Sequence, residues 1–229
     1  MPDPDTLRIN EIFHSIQGES TWAGMECVFV RLAGCHLRCS YCDTEYAFTE
    51  GTSRSIRSVA DEVLGCGSEL VELTGGEPLL QPRVHELERI LLDEGLIVLI
   101  ETSGACDISQ CDERSTIIMD VKTPSSSEVD RMDASNFGRL RAKDEVKFVI
   151  GNREDYEFAL ATMRDHDLAA RVACVLFSPV HEQAAGLHIA GQAGLDAKVL
   201  AGWMLEDHVK ARLQLQIHKF IWDPSTRGV

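Results

Sequence analysis

Gly34-Cys35-His36-Leu37-Arg38-Cys39-Ser40-Tyr41-Cys42-Asp43 is the stretch around which the rest of the chain is organised. Its cysteines follow the pattern C-x3-C-x2-C. The run before it, Cys27-Val28-Phe29-Val30-Arg31-Leu32, is apolar and predicts a buried strand. The cysteines therefore fall on a loop leaving the end of a strand, where α/β folds place their chemistry.

Closely spaced thiolates hold iron–sulfur clusters, and a 4Fe-4S cluster ordinarily takes four of them. Three ligands leave one iron open, and an open coordination position marks a metal centre that binds substrate. The competing reading is a structural zinc ion held by the three cysteines and His36. Zinc motifs usually pair two Cys-x2-Cys knuckles, and the chain has no second knuckle.

Working outward, segments alternate between strand and helix signals. Strands are expected at residues 7–13, 27–32, 69–74, 96–100, 116–121, 145–150, 171–177 and 213–221. Helices are expected from Ser55 as N-cap to Gly65, over 82–94, from Asn152 as cap to 166, and over 196–208. Residues 125–140 read as polar and irregular. About six strand–helix repeats imply a parallel α/β architecture too short to close an eight-strand barrel. The expectation is one domain, residues 1–229, built as a partial, open β/α barrel.

The composition narrows the function. The 229 residues carry a formal net charge of −15, the opposite of a nucleic-acid footprint, so a small-molecule substrate is expected. The hydrophobic fraction of 44% is ample for a core. Among the eight cysteines, Cys27, Cys66, Cys106, Cys111 and Cys174 read as small buried hydrophobes rather than ligands. The acidic start, residues 1–5, is no signal peptide, and the longest apolar run is far too short to span a membrane. A cytoplasmic location is expected.

Further motifs follow predicted strands. Gly75-Gly76-Glu77-Pro78 offers two glycines for close backbone approach and a carboxylate. Thr102-Ser103-Gly104 offers hydroxyls, Asp120-Val121-Lys122 a carboxylate and a cation, and Ser178-Pro179-Val180-His181 closes another strand end. Such hydroxyls often only cap the next helix. His14, His36, His181 and His218 also sit near motifs, and none is assigned a catalytic role.

The cysteine spacing together with the glycine tetrad resembles the radical S-adenosylmethionine enzymes. The resemblance implies a 4Fe-4S cluster on Cys35, Cys39 and Cys42. The open iron would take the amino and carboxylate groups of S-adenosylmethionine, and reductive cleavage would release a 5′-deoxyadenosyl radical. It implies cofactor contacts at Tyr41, Cys42, Asp43, Gly75, Gly76, Glu77, Gly104, Asp120, Val121, Lys122, Ser178, Pro179, Val180 and His181.

Within that superfamily, the loop Ser15-Ile16-Gln17-Gly18-Glu19 is similar to the substrate loop of the 7-carboxy-7-deazaguanine synthase family. So are Cys42-Asp43-Thr44, Glu101-Thr102-Ser103-Gly104, residues 120–125 and His218-Lys219-Phe220-Ile221-Trp222. The resemblance runs from about Ile12 to Trp222. It implies a radical ring contraction of 6-carboxy-5,6,7,8-tetrahydropterin to 7-carboxy-7-deazaguanine with loss of ammonia, a step toward queuosine and other deazapurines. S-adenosylmethionine would be regenerated, and Thr44 would bind magnesium, although hard-ligand chemistry alone picks Asp43. Ile16, Gln17, Gly18, Glu19 and Thr102 would contact substrate, with Gln17 and Glu19 able to pair with the donor–acceptor edge of a pterin. Arg31, a lone cation inside an apolar strand, suits a carboxylate.

Two rivals remain open at this level. A glycyl-radical activating enzyme also uses three cysteines, but would act on a partner protein and has no need of the Gln17–Glu19 loop. A non-catalytic iron–sulfur or zinc protein leaves the glycine tetrad unexplained. A homodimer is expected, since a truncated barrel exposes edges, as is an external reductant such as flavodoxin.

Overall fold

In a computed structural model of the protein, residues 5–229 are described. The reading of residues 1–4 as part of a polar start lies outside them. The chain enters as β1 (Thr6–Ile16) and turns into β2 (Glu26–Leu32). After the cysteine loop come β3 (Thr52–Ser55) and α1 (Ile56–Gly65). Then follow β4 (Leu70–Gly75), α2 (Val84–Asp93), β5 (Ile97–Thr102) and β6 (Thr116–Val121). The second half holds α3 (Asn136–Arg139), β7 (Glu145–Ile150), α4 (Arg153–Asp165), α5 (Leu168–Arg171) and β8 (Cys174–Pro179). It finishes with α6 (Ala197–Glu206), β9 (Arg212–Leu213) and α7 (His218–Ile221).

The strands form one sheet in the order β3-β1-β2-β4-β5-β6-β7-β8-β9. From β2 onward every neighbouring pair is parallel, while β1 pairs antiparallel with β2 and β3. The two ends of the sheet do not meet, so the α/β architecture is an open, partial barrel.

The period of two along each strand sorts residues between two faces. Val28, Val30, Leu32, Val71, Leu73, Val98, Ile100, Met119, Val146, Phe148 and Phe177 join Val59, Val63, Leu87, Leu91 and Tyr156 of the helices in the main core. On the other face, Cys27, Phe29, Leu70, Leu99 and Ile118 form a small apolar floor. Farther along the same face come Arg31, Glu72, Thr74, Glu101, Asp120 and Lys147, all lining a cavity. Polarity thus rises along each strand toward its carboxyl end.

Helix starts follow local chemistry. Ser55 accepts from Ser58 N at 3.2 Å, Asn152 from Asp155 N at 3.0 Å and Asp196 from Lys198 N at 2.8 Å. Each such cap contributes about 1 kcal/mol.

Three local expectations are corrected. The final strand expected over 213–221 stops after Leu213, and the chain turns into α7. Its alternation of Leu213, Leu215 and Ile217 is real, but Leu213 and Leu215 remain exposed, and the Gln214 and Gln216 side chains turn inward to Glu19. Residue 171 belongs to α5 rather than to the strand expected over 171–177, which starts at Cys174. The short edge strand β3 carries no apolar alternation and is formed by pairing with β1. Of the five cysteines outside the motif, Cys27 is buried, whereas Cys66, Cys106, Cys111 and Cys174 are half-buried.

Candidate active site

The cysteine loop leaves β2 and is held at several points. Gly34 N donates to Ala47 O at 2.7 Å, and the Ser40 hydroxyl donates to Ser125 O at 2.6 Å. Arg38 N donates to Glu128 Oε1 at 2.6 Å, and the Arg38 guanidinium lies 4.2 Å from the centre of the Phe48 ring. Cys35, Cys39 and Cys42 all line a cavity of ≈ 560 Å³ at the carboxyl ends of the parallel strands. That volume suits a small-molecule ligand.

The glycine tetrad is stapled to this loop. Gly76 N donates to Leu32 O at 3.1 Å and Glu77 N to Gly34 O at 2.9 Å. A Cβ on Gly75 would stand 2.2 Å from Leu32 O, and one on Gly76 would stand 2.3 Å from Gly34 O and 2.8 Å from Cys35 Cβ. The glycines are therefore required by the neighbouring backbone, whatever else they approach.

The Glu77 carboxylate is fully buried and faces away from the cavity wall. It accepts from Leu79 N at 3.1 Å, Thr102 Oγ1 at 2.9 Å, Ser103 N at 2.8 Å and Ser103 Oγ at 2.5 Å. It ties the end of β4 to the end of β5, so any cofactor contact of Glu77 falls to its backbone. Val121 is likewise turned from the cavity, because in a strand it alternates with Asp120 and Lys122 and joins the main core. Gly104, at φ +73, packs against Met119 and Met132. Tyr41, Asp43, Thr44, Gly75, Gly76, Thr102, Asp120, Lys122, Ser178, Pro179, Val180 and His181 line the cavity, as do Ile16, Gln17, Gly18, Glu19 and Arg31.

A buried charge network, largely missed in the sequence, crosses the floor. Lys147 Nζ sits 2.8 Å from Glu19 Oε2, is paired with Glu101, and lies 3.8 Å from Asp120. Burial works against the Lys147 charge, but Glu101, Glu19 and Asp120 outweigh it and push its pKa well up. Burial would raise Glu19 too, yet Lys147 and a bond from Gln216 hold it down at about 2. Glu72 goes the other way: burial, then the charges of Glu101 and Glu19, push it well above the usual carboxylate range. Charged residues at Glu72 and Lys147 inside otherwise apolar strands were the available signal.

This network uses up side chains of the substrate loop. Gln17 Nε2 donates to Glu72 at 2.5 Å while its Oε1 accepts from Glu19 N at 3.0 Å. Glu19 also accepts from Gln214 and Gln216, at 2.9 and 2.7 Å. The chain after β9 seals the loop: Ile217 N donates to Gly18 O, and His218 packs so closely that a Cβ on Gly18 would lie 2.0 Å from its Nδ1.

Beside Cys42, the Asp43 carboxylate pairs with Lys219 at 2.9 Å. Burial would raise it, but Lys219 and then Arg31 hold it well below its ordinary value. Thr44 Oγ1 stands 3.7 Å from Cys42 Sγ. Arg31 Nε pairs with Glu11 at 2.8 Å, and the Tyr46 hydroxyl donates to the same carboxylate at 2.9 Å. Residues 224–229 also line the cavity, with Arg227 stacked 3.7 Å over Tyr46 and paired with Glu50.

The donor set fits a polynuclear iron–sulfur cluster better than a single ion. Among the described residues, the side chains whose ligand atoms gather within 4.8 Å are His85, Glu88 and Cys111, and the motif thiols are spread more widely. Burial pushes all three motif thiols up, Cys42 to about 11, so a metal must displace their protons. In the same cavity, Asp120 Oδ1 is buried without a partner among the described residues while Oδ2 takes Lys122 at 2.9 Å. That leaves an acceptor for a ligand hydroxyl.

Residues 30–165 match the Radical SAM superfamily. The chain is 46% identical over 228 residues to the 7-carboxy-7-deazaguanine synthase of Koribacter versatilis, covering 97% of this chain and 100% of the relative. It is 41% identical to that of Chlorobaculum tepidum, covering 97% of each. The crystal structure of QueE from Escherichia coli shares the fold with a TM-score of 0.72 at 21% identity, over 92% of this chain and 93% of the other.

Proposed function

We infer the activity from a plain premise: the chain belongs to the 7-carboxy-7-deazaguanine synthase family of the radical SAM superfamily. It is a lyase that converts 6-carboxy-5,6,7,8-tetrahydropterin to 7-carboxy-7-deazaguanine with loss of ammonia, in deazapurine biosynthesis. The observation that carries the reading is convergence. Three thiols, a glycine pair, the Gln17–Glu19 loop and Arg31 share one cavity. A partner-protein activase has no use for that loop, and an electron carrier has no use for the cavity.

Cys35, Cys39 and Cys42 would hold the 4Fe-4S cluster, with S-adenosylmethionine on its open iron. When bound, these groups would supply one-electron chemistry that takes a hydrogen atom from the substrate, the electron coming from the external reductant. The residues of this chain do the rest. The ends of β4, β5, β6 and β8 offer backbone at Gly75 and Gly76, hydroxyls at Thr102 and Ser178, and the spare oxygen of Asp120 to the cofactor. Arg31 keeps its terminal nitrogens for the substrate carboxylate, because Glu11 occupies only Nε. Since Gln17 and Glu19 are engaged by Glu72, Lys147 and the glutamines, the pterin edge is read by the loop backbone and by what remains of the Glu19 and Glu101 lone pairs. Thr44 offers magnesium a hard oxygen, and Asp43, balanced by Lys219, adds charge without binding it alone. Two copies pairing through exposed sheet edges and an external reductant such as flavodoxin complete the proposal.

The test is one anaerobic incubation of reconstituted protein with reductant, magnesium, S-adenosylmethionine and 6-carboxytetrahydropterin. Mass spectrometry should show 7-carboxy-7-deazaguanine with little net loss of S-adenosylmethionine. Slow 5′-deoxyadenosine formation without that product would leave the radical machinery standing and discard the substrate.

A further inference from the structure

We propose a second metal site, outside the cavity, where His85, Glu88 and Cys111 take a divalent ion of the zinc type. His85 and Glu88 are three residues apart on α2 and so share a face. Cys111 comes from the connection between β5 and β6. The His85 nitrogen, one Glu88 oxygen and Cys111 Sγ all lie within 4.8 Å of one another. A tetrahedral ion with bonds of about 2.0–2.3 Å sets its ligands roughly 3.3–3.8 Å apart. His85 Nδ1 already stands 3.1 Å from Glu88 Oε2, so a small closing movement of Cys111 completes the set.

The carboxylate is oriented as a ligating carboxylate should be. Glu88 is fully buried, and its Oε1 accepts from Asp112 N at 2.8 Å and Ser115 Oγ at 2.7 Å. That leaves Oε2 aimed at His85 and the site, the second-layer anchoring that metal-bound carboxylates show. Arg141 lies nearby, but its charge is taken by Asp144, and it reaches the same loop through the carbonyls of Asp112 and Ser115. One nitrogen, one oxygen and one sulfur suit zinc and not magnesium or calcium, which want oxygen alone. With three protein ligands, and with His85 and Cys111 incompletely buried, water can reach a fourth position. The ion would clamp α2 to the connection that leaves β5, whose end carries Thr102 and Ser103 and so holds Glu77.

The probe is zinc itself. Anaerobically reconstituted holoenzyme is given one equivalent of Zn²⁺, desalted, and studied by elemental analysis and zinc-edge X-ray absorption. The expected result is about one zinc per chain with a single sulfur at about 2.3 Å among lighter ligands. Cys111→Ser should remove that sulfur and lower retained zinc about tenfold or more, and His85→Gln should lower retention as well. Iron content and cluster absorbance should stay unchanged in both, which separates loss of the site from loss of the fold. Holoenzyme that retains no zinc, zinc in a sulfur-rich shell on the motif cysteines, or retention unaltered by both variants would each overturn the site.

Discussion

Lys147→Met is the most informative perturbation. Lys147 sits among Glu19, Glu101 and Asp120 on the inner face of the barrel, with Lys122 as a second cation on Asp120. Glu19, with a side chain only 20% exposed, is held at about 2 against an ordinary 4.5. At 1.36 kcal/mol per pKa unit, that depression corresponds to roughly 3 kcal/mol of stability. A depressed carboxylate contributes fully above its unfolded value and loses the contribution as pH falls through its folded value. The whole effect is therefore present at pH 7 and disappears between about 4.5 and 2. Methionine keeps the volume and removes the charge, so Lys147→Met should lose about 3–5 kcal/mol, the range for stranding a buried charge. For a chain of this size that lowers the melting midpoint by roughly 6–20 °C. The assay is thermal and urea unfolding at pH 7 of wild type, Lys147→Met, Glu19→Gln and the double variant. The double variant should recover at least about 1 kcal/mol relative to the sum of the singles. A Lys147→Met protein within about 0.5 kcal/mol of wild type, or singles that simply add, would refute the network as described.

Glu72 carries the opposite sign. Its raised pKa gives stability that is full below the unfolded value and lost as pH rises toward the folded one, so Glu72→Gln should melt at or above wild type at pH 8, by a margin that shrinks toward pH 5. A Glu72→Gln protein clearly less stable at pH 8 would contradict the upward shift. Gly76→Ala drives a Cβ into the Gly34 carbonyl and against Cys35 Cβ, and should lower iron retained after reconstitution several-fold; full iron loading would show that the loop can shift. Thr44→Ala should lower turnover and flatten its dependence on magnesium, checked by product formation across a magnesium titration, and undiminished magnesium activation would remove Thr44 from that role.

The local parts of this protein were legible in the chain because their signals are local. C-x3-C-x2-C, Gly75-Gly76-Glu77-Pro78, the Ser55 and Asn152 caps and the period-two strands each depend on residues a few positions apart, and the parallel order of strands follows from their alternation with helices. What lay beyond reach depended on which side chains meet across the sheet. The Glu77 carboxylate was legible as a ligand group but is spent joining two strand ends. Gln17 and Glu19 were legible as a pairing edge but are held by Glu72, Lys147, Gln214 and Gln216, up to 197 positions away. The stretch after residue 213 alternates like a strand, yet tertiary contacts with Gly18, Glu19 and Asp43 turn it inward. Spacing along the chain says which groups can be presented at a strand end. Only the fold decides whether a presented carboxylate or amide is left free for a ligand or satisfied by a neighbour, because a buried polar group takes whichever partner the packed structure brings within about 3 Å.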